Sequence, residues 1–422
     1  MASSRFLDLE DMGLRPQFTK LELRILILLA SVEFTHIVEY MILMPLGPQL
    51  MQNLHINPNE FALLVSSYDF CAGISGLIGM YFLDRFDRKQ SLIYCFLGFG
   101  LGTFACALAD SFSSLLLARI LSGGFGGILG AQAFAIAGDA VAIERRGAST
   151  GILMVGLALA MILGIPFSLY LAEVGSWRLP FFSLGYFTLF LNLLLFTILP
   201  RQVTHLREKT TSPLILLRII SKQSQTRLAL FLQFWMVLGQ FTVIPFLASY
   251  LVMNVGIPQK QLPFIYLLGG IVSLIAAPLF GNYIDRRGSK KVLMWTVGFS
   301  IIPLLGATHL PALSFPVCLS LSVLFFASMT GRLVLMNTVA SHAVSSEYRG
   351  AFMSLVTSIQ QFSGAFSVWV SGHIIGFGKS GSLENFQYVG YLASFASLVV
   401  LGLGVLIHKD QSKNQTALTK LE

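Results

Sequence analysis

A chain of 422 residues that is 55% hydrophobic and only 11% charged carries more apolar surface than one soluble core can enclose, so an ordinary soluble globule is excluded. Its net charge of +8 would suit nucleic-acid binding in a soluble protein, but the basic residues lie between long apolar runs, and no nucleic-acid partner is expected. The lipid bilayer is the expected surrounding.

Twelve apolar segments are predicted, near 22–44, 60–82, 92–109, 113–137, 150–172, 180–199, 228–254, 263–283, 292–310, 313–337, 351–375 and 386–407. Each is long enough to cross ~30 Å of hydrocarbon as a helix, and the need to satisfy every backbone group internally excludes open sheets there. Of the 28 Lys and Arg, 23 fall in the N-terminal tail, the even-to-odd loops and the C-terminal tail; Arg178, Lys260 and Lys379 lie in the opposite loops, and Arg119 and Arg332 inside apolar segments. This asymmetry predicts a multi-pass protein of the inner or plasma membrane with both termini in the cytoplasm. Asp8, Glu10, Asp11 and Arg15 precede any apolar run, unlike a cleavable signal peptide, so the first helix is expected to direct insertion. Cys71, Cys95, Cys106 and Cys318 all fall inside predicted helices and read as small buried hydrophobes, with neither disulfide nor metal inferred.

The first segment carries Glu33, His36 and Glu39, which at 100° per residue spread over about a third of the helix circumference and can all point into a bundle interior. Pro45 and Pro48 end it at the outer surface. The second carries Asp69, either a proton site or an interhelical hydrogen-bonding group, and Gly73, Gly76 and Gly79, which allow close packing. The fourth opens with Arg119, followed by Gly123, Gly124, Gly126, Gly127 and Gly130. Counting ~1.5 Å per residue, Arg119 lies roughly 10 Å below the outer surface, near the expected depth of Glu39. Either charge alone would be costly there, so they form a natural pair, whether a working one or a permanent structural one. The GASTG run at 147–151 follows a helix-loop boundary instead of a strand and reads as chance, and no G-x-x-x-x-G-K phosphate loop suggests ATP as an energy source.

Residues 200–227 turn polar, with Pro200 and Pro213 as breaks, and Leu214 to Ile220 is expected along the inner leaflet. This is the joint between halves, because the second half repeats the first. Ala137, Ala140, Val141, Glu144, Arg146 and Gly147 recur as Ala340, Ala343, Val344, Glu347, Arg349 and Gly350, and LDRFDRKQSL (83–92) as IDRRGSKKVL (284–293), at offsets of 203 and 201 residues. The expected organisation is a tail at 1–20, a six-helix bundle at 21–199, a linker at 200–227, a second bundle at 228–407 and a tail at 408–422. Arg332 has no basic counterpart, since 119 plus 203 falls on Ser322. The expected substrate cavity combines His36, Gln240, Trp235, Arg332, Asn337, Gln360 and Gln361.

Twelve helices in two related halves with a basic loop after the second and eighth resemble the major facilitator superfamily, which implies an all-α membrane fold of two six-helix pseudo-symmetric bundles. The family's loop pattern, G-x-L-a-D-r-x-G-r-k-x-x-l, is matched by Gly281, Asp285, Arg286, Gly288, Lys290 and Leu293. The first copy keeps Asp84, Arg85, Arg88, Lys89 and Leu92 but has Met80 and Asp87 where the family has glycine. The resemblance implies that Asp84 sits against the start of the eleventh helix and that Arg88 pairs with Asp139, a conformational latch repeated by Asp285, Arg286 and Gly288. Arg119 with Gly123 is similar to the fourth-helix motif of proton-coupled members, with Ser122 in place of glutamine. The run from Gly156 through Gly164 and Pro166 to Trp177, Arg178 and Phe181 resembles the arabinose-efflux-permease-like branch of the drug:proton antiporters.

The reading is a secondary active transporter and not an enzyme: proton-coupled export of a small amphipathic or cationic compound by alternating access. Glu33, Glu39 and Asp69 are its proton-coupling acids and Arg119 the tuning base. No cofactor is expected, the proton gradient supplying the energy, and a monomer is expected. The alternative is an anionic metabolite or lipid-like substrate held by Arg119 and Arg332. A non-transporting membrane sensor is the remote third, lacking a soluble domain to signal through.

Overall fold

The computed structural model describes residues 18–82, 85–201, 223–311, 313–344, 349–378 and 381–418. Asp84, Glu347, Lys379, most of the expected 1–20 tail and the stretch 202–222 of the expected linker lie outside them.

The helices are α1 (Lys20–Ile42), α2 (Gly47–Asn53), α3 (Pro58–Phe82), α4 (Arg88–Leu108), α5 (Phe112–Asp139), α6 (Arg146–Leu159), α7 (Ile165–Val174), α8 (Arg178–Ile198), α9 (Ser224–Phe241), α10 (Ile244–Met253), α11 (Leu262–Arg287), α12 (Ser289–Thr308), α13 (Phe315–His342), α14 (Arg349–Ile374) and α15 (Phe386–Leu418). Among the described residues eleven spans are long and apolar enough to cross a membrane, with α6–α7 and α9–α10 each acting as one. Helix α14 is as long but does not reach that apolarity, because Ser358, Gln360, Gln361, Ser363, Ser367 and Ser371 dilute it. Its serines pack it closely on the broken ninth and tenth helices: Ser363 Oγ donates to the Phe234 carbonyl at 2.6 Å and Ser371 Oγ to that of Thr242 at 2.9 Å. The protein is an all-α, multi-pass membrane protein. The described strands, Gly376–Phe377 paired with Leu383–Glu384, make one small hairpin between α14 and α15.

Prolines explain where the helices depart from the predicted runs. Pro45 cannot donate to the Met41 carbonyl, and α1 gives way after Ile42 to a turn and then α2. The continuous run expected at 228–254 is broken after Phe241, because Pro245 cannot bond the Phe241 carbonyl. Pro166 has the same effect on the run at 150–172, where Ala160–Gly164 form a widened π turn. Helix α15 continues past the predicted end at 407 to Leu418, as no Gly or Pro interrupts the polar stretch. At the other end of the chain Thr19 caps α1 in a capping box with Glu22, whose carboxylate also takes bonds of 2.7 and 2.9 Å from Arg145 ahead of α6. Thr19→Ala is expected to lower stability by about 1 kcal/mol in detergent melting experiments.

The halves meet unevenly. At the end where α1 stops and α3 begins, here the distal end, one apolar cluster joins Leu46, Leu50 and Phe61 to Phe246, Leu251 and Phe386. Phe61 and Phe246 meet edge to face at 5.4 Å, Gln49 Nε2 donates to Gln259 Oε1 at 3.1 Å, and α2 packs on α10. Toward the opposite end, which carries Lys20 and Leu418, the packing separates: Leu26, Phe96 and Ile136 belong to one cluster, and Leu232, Val292 and Leu335 to another. The long seam between halves is α3 against α14, with α11 on α7 and the π turn forming the other.

Candidate functional site

The first half holds a buried polar cluster built by α1, α3 and α5. Arg119 Nη1 donates to Glu39 Oε1 at 2.7 Å, and both side chains are fully buried. The guanidinium lies 4.4 Å above the Tyr68 ring, which is itself 5.3 Å from the Tyr40 ring. Tyr40 and Arg119 both face Asp69, which is fully buried. The cluster forms because α5 can lie directly on α3: a Cβ on Gly123 would fall 2.6 Å from the Tyr68 carbonyl oxygen, and one on Gly127 would fall 2.2 Å from that of Ala72. The glycine run of the fourth predicted segment thus positions Tyr68 over Arg119.

Glu33, His36 and Glu39 all turn inward but to different neighbours. Glu33 faces Gly130 of α5, and its Oε1 is buried without a hydrogen bond. His36 packs its ring against Phe99 of α4 at 5.9 Å, with Nδ1 buried and unbonded. Only Glu39 reaches Arg119. Sequence reasoning missed Tyr40 and Tyr68; the available signal was an aromatic hydroxyl directly beside an acid in each of two helices. It also missed Gln132, buried on α5 with neither amide atom bonded.

The residues expected in the second half do not converge. Arg332 is fully buried in α13, donating to Ser300 of α12 at 2.9 Å, to Ser397 of α15 at 2.8 Å and to the Met236 carbonyl of α9 at 3.1 Å. It is turned into its own half. Trp235 packs its ring on Phe395 of α15 at 6.1 Å, and Gln360 donates to Gln233 at 2.9 Å. Gln240 is buried with Nε2 unbonded, Gln361 is half-buried and Asn337 is exposed.

A sequence profile described as Major Facilitator Superfamily matches residues 29–368. The chain belongs to the Major Facilitator Superfamily. Relatives within it include the uncharacterized MFS-type transporter YceJ of Bacillus subtilis (strain 168), 26% identical over 91% of this chain and 95% of that protein. MFS-type transporter YwfA of the same organism is 27% identical over 75% and 76%. Among solved structures, the nucleoside transporter NupG superposes with a TM-score of 0.73 at 16% identity, over 93% of this chain and all of that one. A bacterial homologue of the lysosomal transporter Spinster, in an inward-facing and unoccupied conformation, superposes at 0.69 with 14% identity over 93% and 96%. These likenesses establish the fold of a membrane transporter.

The superfamily's loop pattern has two different geometries here. Gly288, kept in the second copy, has φ +79°, a conformation that suits glycine. Its counterpart Asp87 has φ −56° and instead caps α4, accepting a bond from the Lys89 backbone N–H at 2.9 Å. Arg88 forms an ion pair with Asp139 at the end of α5. Arg85, Asp285 and Arg286 are exposed, and Asp84 lies outside the described residues.

Proposed function

We propose that this superfamily member is a proton-coupled secondary transporter that exports a small amphipathic or cationic compound by alternating access. The observation that carries the reading is a set of carboxylates inside membrane-crossing helices: Glu39 bonded to Arg119, Asp69 fully buried beside Tyr40, and Glu33 carrying a buried oxygen that no donor reaches. A bare carboxylate in such a place is strongly unfavourable, and a proton or a substrate cation removes that penalty. The resemblance of Gly156, Gly164 and Pro166 to the drug:proton antiporters supports the same reading. With the basic residues facing the cytoplasm, the end where the halves separate is the cytoplasmic one.

An anionic substrate held by Arg119 and Arg332 is the weaker reading, because Glu39 occupies the first and two serines with a backbone carbonyl occupy the second. Arg332→Met is therefore expected to leave substrate binding intact. In inside-out vesicles with an imposed pH gradient, screened with amphipathic cations and organic anions, uptake of a cation should depend on the gradient. Glu33→Gln and Glu39→Gln should each lose that dependence. Unchanged gradient dependence in both variants would remove the coupling scheme.

A further inference from the structure

We propose that the second half binds an anionic phospholipid at the turn between α11 and α12, with Arg287 and Lys291 taking the headgroup and Trp295 and Ile302 lining the path of an acyl chain. The crossings alternate in direction from Lys20 onward, so α11 ends and α12 begins at the same end of the molecule as Lys20. Arg286, Arg287, Lys290 and Lys291 are all exposed there, and none of them enters an ion pair among the described residues. Arg287 and Lys291 fall at positions the superfamily's loop pattern leaves open. Below Lys291, the residues Trp295, Gly298 and Ile302 follow at helical spacing on the same face of α12. Trp295 is 74% exposed, more than any other large hydrophobic side chain among the described residues, Ile302 is exposed as well, and a Cβ on Gly298 would meet nothing within 4 Å. Tyr283, also exposed, stands one turn before Arg287 on α11.

This face is ordered as a phospholipid is. At ~1.5 Å per residue Trp295 lies ~6 Å and Ile302 ~16 Å deeper than Lys291, so the cations meet the phosphate level, the indole the interface and the aliphatic side chain the hydrocarbon. A soluble anion would use the cations and leave the apolar face bare, and a zwitterionic lipid would cover that face and leave the positive charge uncompensated. An anionic lipid satisfies both. The first half repeats the face without the charge. At the offset of 201 residues Phe86 and Gln90 stand in place of Arg287 and Lys291, Asp87 adds an acid in place of Gly288, and the exposed Tyr94 and Leu101 take the places of Trp295 and Ile302. Two further cations of that loop are engaged: Arg88 pairs with Asp139, and Lys89 Nζ donates to the Phe196 carbonyl at 2.8 Å and lies 5.5 Å from that ring. Orientation in the membrane is served by positive charge at either loop. What points to a ligand is that the second loop leaves its charge without an ion pair, directly above a lipid-facing indole.

The site does not depend on what is transported, so its test is separate from the vesicle experiments on coupling. The full chain is placed in phosphatidylcholine nanodiscs that contain a minor share of phosphatidylglycerol with brominated acyl chains, which quench nearby indoles. The signal of Trp295 is read as the difference between the parent and Trp295→Phe, which removes the contributions of Trp177, Trp235 and Trp369. Quenching should exceed the share of phosphatidylglycerol in the bilayer, with a relative affinity over phosphatidylcholine of roughly tenfold or more, at about fivefold per cation near the surface. Arg287→Gln combined with Lys291→Gln should lower that affinity by at least about fivefold, and high salt should lower it in the parent. As the internal control, Trp295→Phe combined with Tyr94→Trp puts the indole at the matching place in the first half, where quenching should follow the bulk lipid composition. Quenching of the parent in proportion to the bulk composition overturns the site. So does enrichment that survives loss of both cations, or equal enrichment at the two indole positions, which would be a general attraction of the basic surface.

Discussion

Arg119→Ala is expected to destabilise the protein by about 3–5 kcal/mol, because it strips the partner from a fully buried carboxylate. Glu39 already has one oxygen, Oε2, without a hydrogen bond, and removing the guanidinium takes the bond from the other. The same change empties the space above the Tyr68 ring, so a cation–π contact goes with it. Replacing both charges, as Glu39→Gln with Arg119→Met, should recover most of the loss, since a neutral amide at position 39 no longer needs a charged partner. Detergent melting curves of the two singles and the double check this. A single Arg119→Ala variant as stable as the parent would show that water or another group already compensates Glu39.

The second large effect is steric. At Gly127 a Cβ would stand 2.2 Å from the Ala72 carbonyl oxygen and 2.5 Å from its Cα, and backbone atoms in a packed helix cannot swing aside as a side-chain tip can. Gly127→Val is expected to part α5 from α3, lowering stability by at least the ~1–3 kcal/mol of an overpacked core and lifting Tyr68 off Arg119. Gly124 on the same helix has nothing within 4 Å of the corresponding point. Gly124→Ala should therefore be neutral, or stabilising by up to about 1 kcal/mol through helix propensity. Melting temperatures for the pair distinguish packing from a general intolerance of side chains in the glycine run, which would lower both.

Several features of the site were legible early for a definite reason. Arg119 and Glu39 could be matched from residue counting alone, since helix rise is constant and both lie close to the same helix ends. Arg332 was not legible in that way, because its direction, toward Ser300 and Ser397, depended on neighbours that the run of residues does not name. The low apolarity of α14 was equally ambiguous, because serines and glutamines suit a solvated cavity wall as well as they suit close backbone packing on α9.

What the amino-acid order determined by itself was the helical, membrane-crossing architecture and its doubling, because hydrocarbon thickness sets span length and a repeated loop motif survives at a constant offset. Breaks at Pro45, Pro166 and Pro245 belong to the same class, being local consequences of a missing N–H. Tertiary structure alone decided that Asp69 looks across the seam at Gly364 and that Arg332 turns away from it. Helices that are apolar all round carry little amphipathic signal of their own rotation, so the direction of each polar side chain is set by the neighbours against which the helix packs.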